Sequence, residues 1–277
     1  MNVRAIVFSR DRAAQLDLLL SSLRANAPGL LDSLTVLWRA SDDLYRQAYD
    51  TCAEEHPDVE FVVEHSFADD VRSLLAPAEL VVFFTDDSVL FRSLEDRERT
   101  PQEWLADDPE LLCFSLRLGR NCEECYPYGC RQRLPDFASH GDALSWAWGG
   151  ADCDFGYPMS LDGHIMEAEV PRQMLGAQQP ANPNELEALL AHAVGSARVA
   201  PRMASYRASH LVCIPANRVN ETHPNRFDGA SGAEPHLLNA RYLTGERLDR
   251  EAIDFSSVSA AHAELRLAWT SPRASGN

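Results

Sequence analysis

The first ninety residues alternate between short apolar runs and helix-like segments, and this alternation constrains the fold more than any other feature of the sequence. The apolar runs cover residues 3–8, 34–38, 59–63 and 80–84. The segments between them show amphipathic helical spacing, as with Leu16, Leu19, Leu20 and Leu23 after the first run. Because no hairpin turn separates the runs, we expect parallel strands joined by helices, in an α/β fold whose mostly parallel sheet is flanked by helices.

Polar side chains follow the first and fourth apolar runs, where each predicted strand ends. The first run is followed by Ser9, Arg10, Asp11 and Arg12, and the fourth by Asp86, Asp87 and Ser88. Ligands of open parallel sheets bind outside the carboxyl ends of the strands. We therefore expect the two segments to face one crevice.

The adjacent carboxylates of Asp86 and Asp87 are the sharpest chemical feature of the chain. Two acids at the end of a buried strand repel each other unless a cation is present, and hard cations prefer oxygen ligands. The pair therefore indicates a site for a hard divalent cation. A helix cap or a solvated turn is the alternative explanation of such a pair.

Composition excludes several classes of function. The 277 residues include 25 basic and 42 acidic side chains, which give a formal charge of −17. This balance argues against a broad surface for nucleic acid or for anionic membranes. All 25 basic residues are arginine. Without lysine the chain cannot be a Walker-type P-loop enzyme, a protein kinase, a Schiff-base enzyme or a pyridoxal-phosphate enzyme.

The sequence also bears on location and on the state of its cysteines. No apolar stretch reaches the length of a membrane span, and the N-terminus begins with a strand-like run, so we expect a cytoplasmic protein. The seven cysteines are an odd set in a chain long enough to fold without bridges, and reduced thiols are expected. Zinc is the alternative for Cys122, Cys125 and Cys130, with Cys153 or His140 as the fourth ligand, but their spacing matches no standard zinc motif.

The βαβ pattern and the acidic pair after the fourth run resemble the GT-A fold of nucleotide-sugar glycosyltransferases of the family 2 type. The resemblance covers residues 3–95 well and residues 110–190 loosely. It implies a Rossmann-like GT-A sheet, a nucleoside-diphosphate sugar as donor, a hydroxyl acceptor, and Mn²⁺ or Mg²⁺ as cofactor. The family pattern is Asp-any-Asp, in which one acid contacts the ribose and another holds the metal. Here Ser88 takes the third position, so Asp87 would be the main metal ligand, with Asp86 beside it.

The resemblance also implies roles for residues around the donor. The segment of Ser9, Arg10, Asp11 and Arg12 lies where such enzymes first touch the nucleoside, and a cap on the next helix is the alternative for Asp11. Trp148 and Gly149 belong to an aromatic, glycine-rich segment (residues 146–150) that resembles the one beside the donor sugar. A buried strand and turn is the alternative for that segment.

Two further predictions concern the reaction itself. Asp162 follows the glycine-rich segment and is expected to open a helix, where family 2-like enzymes place the base of an inverting transfer; a plain helix cap is the alternative. Arg218 and Arg226, in the polar loop 217–226, are candidates to neutralise the diphosphate, and His223 is a candidate metal ligand. A surface loop is the alternative for that segment.

The second half is less regular, and we expect it to form the acceptor side of one domain. We predict a single domain over residues 1–270, with a nucleotide-binding half at 1–95, an acceptor-side half at 96–270 and a disordered tail at 271–277. Two other functions stay open. One is a nucleotidyltransferase with a related sheet, although its glycine-rich phosphate loop is missing. The other is a non-catalytic sugar- or nucleotide-binding protein, which Ser88 favours.

Overall fold

The computed structural model describes residues 1–219 and 233–270. Its first half follows the predicted alternation of strands and helices, because the apolar runs are buried and the segments between them are amphipathic. In chain order the elements are β1 (Val3–Arg10), α1 (Ala13–Asn26), β2 (Ser33–Arg39), α2 (Asp43–Glu55), β3 (Glu60–Val63), α3 (Phe67–Leu75), β4 (Leu80–Thr85) and β5 (Ser88–Leu90).

The second half contains shorter elements. They are α4 (Pro101–Asp107), β6 (Leu111–Ser115), β7 (Glu124–Cys125), β8 (Cys130–Arg131), β9 (Ala138–His140), β10 (Ala143–Ala147), β11 (His164–Glu167), α5 (Glu169–Leu175), α6 (Pro183–Val194), β12 (Arg202–Tyr206), β13 (Leu211–Cys213) and α7 (Pro235–Leu243). Short 3₁₀ helices cover Cys153–Gly156 and Arg250–Ala252.

A nine-stranded sheet organises the molecule, with the strand order β3-β2-β1-β4-β11-β6-β12-β10-β9. Strands β1 to β4 pair in parallel, as predicted. Strand β11 then inserts antiparallel between β4 and β6, and β12 pairs in parallel with β6. The predicted α/β class, with a mostly parallel sheet flanked by helices, is therefore confirmed.

Both faces of the sheet are buried, and this explains why the strands are continuous apolar runs. Along β1, Ala5 and Val7 pack into one hydrophobic cluster with α1, whereas Ile6 and Phe8 pack into another with α3. Successive side chains of a strand point to opposite faces, so each strand supplies two cores. The sheet is thereby fixed between two layers, and its carboxyl edge is left to form a site.

Two helices are capped by side chains close to them in sequence. Asp42 caps α2 by accepting hydrogen bonds from the backbone N–H groups of Leu44 and Tyr45. Thr100 and Glu103 form the reciprocal capping box of α4. These caps depend on neighbouring residues only, so a sequence pattern is enough to find them.

One prediction for the second half is wrong. Asp162 does not open a helix: it precedes strand β11, and α5 begins only at Glu169. Pairing with β4 and β6 decides the strand conformation, and Pro171 lies in the first turn of α5, where no backbone donor is needed. Helix α6 is capped by Asn182, whose side chain accepts a hydrogen bond from the backbone N–H of Glu185.

Two further observations bear on predicted features. Residues 271–277, predicted to be disordered, lie outside the described residues. Among residues 1–219 and 233–270, none of the helices combines the length and the apolar character that a bilayer span requires.

Candidate functional site

A cavity of about 970 Å³ opens at the carboxyl ends of β1 and β4. On one side it is lined by Ser9, Arg10, Arg12, Asp86 and Asp87, which are the two polar segments that the sequence placed at one crevice. They converge because β1 and β4 are neighbouring parallel strands, with Phe8 in register with Thr85. Another wall of the cavity comes from the second half of the chain, with Tyr126, Tyr128, Tyr157, Asp162 and Glu187.

Asp86 is a buried carboxylate whose two oxygens are already bonded. Its Oδ2 accepts hydrogen bonds from Ser9 Oγ (2.9 Å) and from the backbone N–H of Arg10 (3.2 Å). Its Oδ1 accepts one from Arg12 Nη1 at 3.0 Å. Burial raises the pKa of Asp86 to about 6, and the charge of Asp87 acts in the same direction, whereas Arg12 opposes them. Asp86 is 3% exposed and accepts three hydrogen bonds within the protein, so it is less available to a metal than Asp87.

Asp87 is more open than its neighbour, with 17% of its side chain exposed towards the cavity. Its Oδ1 accepts a hydrogen bond from Thr85 Oγ1 at 2.8 Å, and Thr85 Oγ1 also lies 2.6 Å from Oδ1 of Asp162. A hydroxyl has one proton, so Thr85 can donate to only one of the two carboxylates at a time. Asp87 and Asp162 thus form a second pair of neighbouring acids, from residues 75 positions apart in sequence.

A buried arginine and a histidine complete this wall. Arg117 is 3% exposed, and its guanidinium pairs with Asp154 at 3.1 Å and with Asp162 at 3.2 Å. His262 Nε2 lies 3.8 Å from Asp162 Oδ2. Burial and the charge of Arg117 lower the pKa of His262 to about 4, so its imidazole is neutral near pH 7. A neutral imidazole is the form that binds metals.

These groups fit a divalent cation. Oδ of Asp162, Nε2 or Nδ1 of His262 and Sγ of Cys213 lie within 4.8 Å of one another. Asp87 is adjacent through Thr85, and it is close enough to influence the protonation of His262. Mn²⁺ and Mg²⁺ favour carboxylate and, for Mn²⁺, imidazole ligands over a thiol. Asp87, Asp162 and His262 are therefore the better donor set, whereas Cys213 is buried and contacts Ser88 Oγ at 3.4 Å.

Glu187 is a further acid in the cavity wall from the second half of the chain. It lies on α6 and accepts a hydrogen bond from the backbone N–H of Leu161 at 3.3 Å. Burial, together with the charge of Asp162, raises the pKa of Glu187 to about 7, while Arg117 opposes the change. A carboxyl group with a pKa near neutrality suits proton transfer at physiological pH.

The residues predicted to touch the nucleoside are held in different ways. Ser9 Oγ bridges Asp86 and the Tyr49 hydroxyl, which lies at 2.6 Å. Arg10 lines the cavity, and about half of its side chain is exposed. Asp11 has a φ of 56° and accepts a hydrogen bond from the backbone N–H of Ser41 at 2.7 Å, so it ties β1 to the chain after β2. It does not cap α1, because the N-cap position belongs to Arg12.

Trp148 and Gly149 lie away from the cavity, in contrast to the role suggested by the resemblance. They follow β10, which pairs with β12 and β9 near the far edge of the sheet. The Trp148 indole N–H donates to the carbonyl of Ala200 at 2.9 Å, and Gly149 has open space where a Cβ would project. Strands β11, β6 and β12 lie between β4 and β10 in the sheet. The local sequence gives no sign that β11 inserts next to β4.

The late polar loop is described only in part. Arg218 lines the cavity next to Asn217. Arg226 and His223 lie outside the described residues. His262, which the sequence reading passed over, provides a histidine at the predicted cation site. Its neighbours in sequence are Ala261 and Ala263, so no local motif marks it.

The cysteines of the alternative zinc site are brought together only in part. Cys122 is buried, and its thiol lies 3.4 Å from the carbonyl oxygen of Arg117. Cys125 and Cys130 face each other across the β7–β8 pair, where Cys153 interacts with both. His140 is distant from them on β9 and contacts Ser145.

Comparisons with known proteins found one similar curated sequence and several similar solved structures. No protein-family model matches the chain. In sequence, the chain is 26% identical over 183 residues to the bifunctional glycosyltransferase pgtA of Dictyostelium discoideum. The match covers 57% of this chain and 23% of pgtA, so the chain spans about a quarter of the length of this curated relative.

Two solved structures are also similar. The mannosyltransferase PcManGT from Pyrobaculum calidifontis, in complex with GDP-Man and Mn²⁺, is 17% identical with a TM-score of 0.46, covering 88% of this chain and 62% of that chain. S. aureus TarS 1-349, in complex with UDP-GlcNAc, is 14% identical with a TM-score of 0.49, covering 80% of this chain and 60% of that chain. The pgtA match confirms the resemblance that the acidic pair and the βαβ pattern indicated: this chain is similar in sequence to a glycosyltransferase.

Proposed function

We propose that the protein is a divalent-cation-dependent glycosyltransferase, which moves a sugar from a nucleoside-diphosphate donor to a hydroxyl acceptor. The observation that carries the proposal is the convergence of Asp87, Asp162, His262 and Glu187 on one strand-end cavity. The similarity to a curated glycosyltransferase supports the same class of reaction.

The cation would be held by Asp87, Asp162 and His262. When bound, Mn²⁺ or Mg²⁺ supplies Lewis-acid stabilisation of the departing nucleoside diphosphate. Arg10 and Arg218 line the same side of the cavity, where a guanidinium can bind phosphate oxygens. Ser9, held between Tyr49 and Asp86, fixes the end of β1 against which the nucleoside would lie.

The acceptor would enter between the tyrosine wall and α6. Tyr128 is 77% exposed and Tyr157 is 37% exposed at this side of the cavity, and aromatic faces of this kind suit the C–H surface of a sugar ring. A hydroxyl placed there has both Glu187 and Asp162 on the cavity wall beside it.

Glu187 is our candidate for the general base, in place of Asp162. The sequence assigned this role to Asp162, but Asp162 pairs with Arg117 and accepts a hydrogen bond from Thr85. Glu187 has a pKa raised to about 7, so its ionised form can take a proton from the acceptor hydroxyl near neutral pH. Direct displacement with a single base inverts the configuration of the sugar carbon, and we propose an inverting transfer.

The test is a donor panel with the purified protein. UDP- and GDP-sugars are incubated with and without Mn²⁺, and release of UDP or GDP is measured in the presence of glycoside acceptors. We expect transfer to require Mn²⁺. The anomeric proton signal in the NMR spectrum of the product should show the configuration opposite to that of the donor. Donor binding without any release, even by hydrolysis, would favour the non-catalytic binding protein that Ser88 suggests.

A further inference from the structure

The guanidinium of Arg12 contacts both carboxylates of the acidic pair, Asp86 and Asp87. It balances negative charge that a metal ion would otherwise balance. Its Nη1 donates to Asp86 Oδ1 at 3.0 Å and to Asp87 Oδ2 at 3.4 Å. Its Nε donates to Asn217 Oδ1 at 2.7 Å, and its Nη2 donates to the Asn217 carbonyl. Only 10% of the Arg12 side chain is exposed. The guanidinium is therefore a fixed part of the cavity floor.

The two carboxylates hold Arg12 unequally. Asp86 is 3% exposed, and its shorter contact belongs to a closed network with Ser9 and the backbone of Arg10. Asp87 has the longer contact and the greater exposure, and it also faces Asp162 through Thr85. Asp86 is thus the structural partner of Arg12, whereas breaking the contact between Arg12 and Asp87 costs little free energy.

We propose that Arg12 is the resident counter-cation of the acidic pair and sets the affinity for a divalent cation by competing with it for Asp87. The inference rests on the cation site of the proposed function, but it does not require sugar transfer. A guanidinium repels a nearby divalent ion and occupies one lone pair of a carboxylate that the ion needs. The two cations therefore cannot both bind Asp87 Oδ2 fully.

A metal titration without nucleotide tests this competition. Free Mn²⁺ is measured by electron paramagnetic resonance in the presence of wild-type protein, Arg12→Gln and Arg39→Gln. We expect Arg12→Gln to bind Mn²⁺ at least tenfold more tightly than the wild type. Arg39 lines the same cavity but pairs with Glu64, so Arg39→Gln removes one positive charge without touching the acidic pair and should have a much smaller effect.

Two double variants keep the result interpretable. Arg12→Gln leaves the buried carboxylate of Asp86 without its positive partner, which destabilises the fold. Arg12→Gln/Asp86→Asn removes both charges and replaces the single variant if that variant folds poorly. The double variant should also bind Mn²⁺ more tightly than the wild type. Arg12→Gln/Asp87→Asn should lose the gain. Equal or weaker Mn²⁺ binding in the folded Arg12 variants would overturn the proposal, as would a gain that survives the loss of Asp87.

The outcomes also separate this inference from the proposed function. Tighter Mn²⁺ binding by the Arg12 variants, with no nucleotide release from any donor by the wild type, would support the competition and contradict the transferase. Mn²⁺-dependent transfer by the wild type, without tighter binding in the variants, would support the transferase and contradict the competition.

Discussion

Asp86 and Asp87 are adjacent in sequence, yet their surroundings give them different chemistry. Asp86 accepts three hydrogen bonds from the protein, whereas Asp87 contacts Thr85 and Arg12 and opens to the cavity. The sequence identified both acids but not this division, because it depends on Arg12 lying closer to one carboxylate than to the other. At this scale the location of the acids at a strand end was predictable, whereas the contacts of each residue were not.

The first prediction concerns Asp87. Asp87→Asn is nearly isosteric and should keep the fold, because the carboxamide can still accept from Thr85. It should abolish the Mn²⁺-dependent part of the stabilisation by UDP or GDP, which for a ligand at 100 times its dissociation constant is about 2.7 kcal/mol. Thermal unfolding with and without Mn²⁺ measures this, and Asp50→Asn, an exposed acid on α2, is the control. A full Mn²⁺ shift in Asp87→Asn would show that the cation binds elsewhere.

The second prediction distinguishes the two candidate bases. Glu187→Gln should slow transfer by about 10²–10⁴-fold at saturating Mn²⁺, because the amide cannot accept the hydroxyl proton. In the wild type the rate should rise with pH through about 7, as Glu187 ionises, and this dependence should disappear in the variant. Asp162→Asn should mainly weaken Mn²⁺ binding. If instead Asp162→Asn stops transfer at saturating Mn²⁺ while Glu187→Gln remains active, Asp162 is the base.

At the scale of elements, the site depends on close approaches that only the packed structure reveals. Gly119 follows β6 and lies against the segment between β12 and β13, where a Cβ would come within 2.5 Å of the Ser209 backbone nitrogen and 2.6 Å of Ala208. This packing holds the chain beyond Arg117 next to the start of β13. The sequence predicted β1 to β4 because their signals are local, but it could not predict that residues 119 and 209 meet.

The third prediction follows from this contact. Gly119→Ala should destabilise the protein by about 1–3 kcal/mol, because the atoms in the way belong to the backbone and cannot turn aside. Gly149→Ala is the matched control: nothing lies within 4 Å of its added Cβ, and it should change neither stability nor donor binding. Urea unfolding gives the free energies. Equal free energies of unfolding for the two variants would contradict the close packing around Gly119. Loss of donor binding in Gly149→Ala would indicate that Gly149 belongs to the donor site, as the resemblance implied.

At the scale of the whole molecule, the fold was easier to predict than the cavity wall from the second half. The polar residues of the first half lie next to strands that the apolar pattern locates. The wall from the second half joins Arg117, Asp162, Glu187 and His262, which come from separate parts of the chain and are brought together by the pairing of β11 with β4 and β6. Only Asp162, which follows the glycine-rich segment, was marked by its place in the sequence. The chemistry of the other three arises from tertiary contacts such as the Arg117–Asp162 pair.

Burial of histidines makes the stability of the molecule depend on pH. His210 is 3% exposed, and its Nδ1 lies 3.3 Å from the carbonyl of Arg92. Burial lowers the pKa of His210 to about 4, whereas a histidine in an unfolded chain has a pKa near 6.5. The unfolded chain therefore binds a proton that the folded protein does not bind between these values. The contribution to stability is complete above pH 6.5 and is lost as the pH falls towards 4.

The last prediction isolates this contribution as a slope. Around pH 5 the free energy of unfolding of the wild type should depend on pH more steeply than that of His210→Asn, by up to about 1.4 kcal/mol per pH unit, the value for one proton. Asparagine is chosen because its amide can still donate to the Arg92 carbonyl without titrating. His192→Asn, at an exposed position of α6, should keep the wild-type slope. Urea unfolding at several values between pH 4.5 and 7 gives the three slopes. Identical slopes for His210→Asn and the wild type would mean that His210 is protonated alike in the folded and unfolded chains, which is incompatible with its burial beside Arg92.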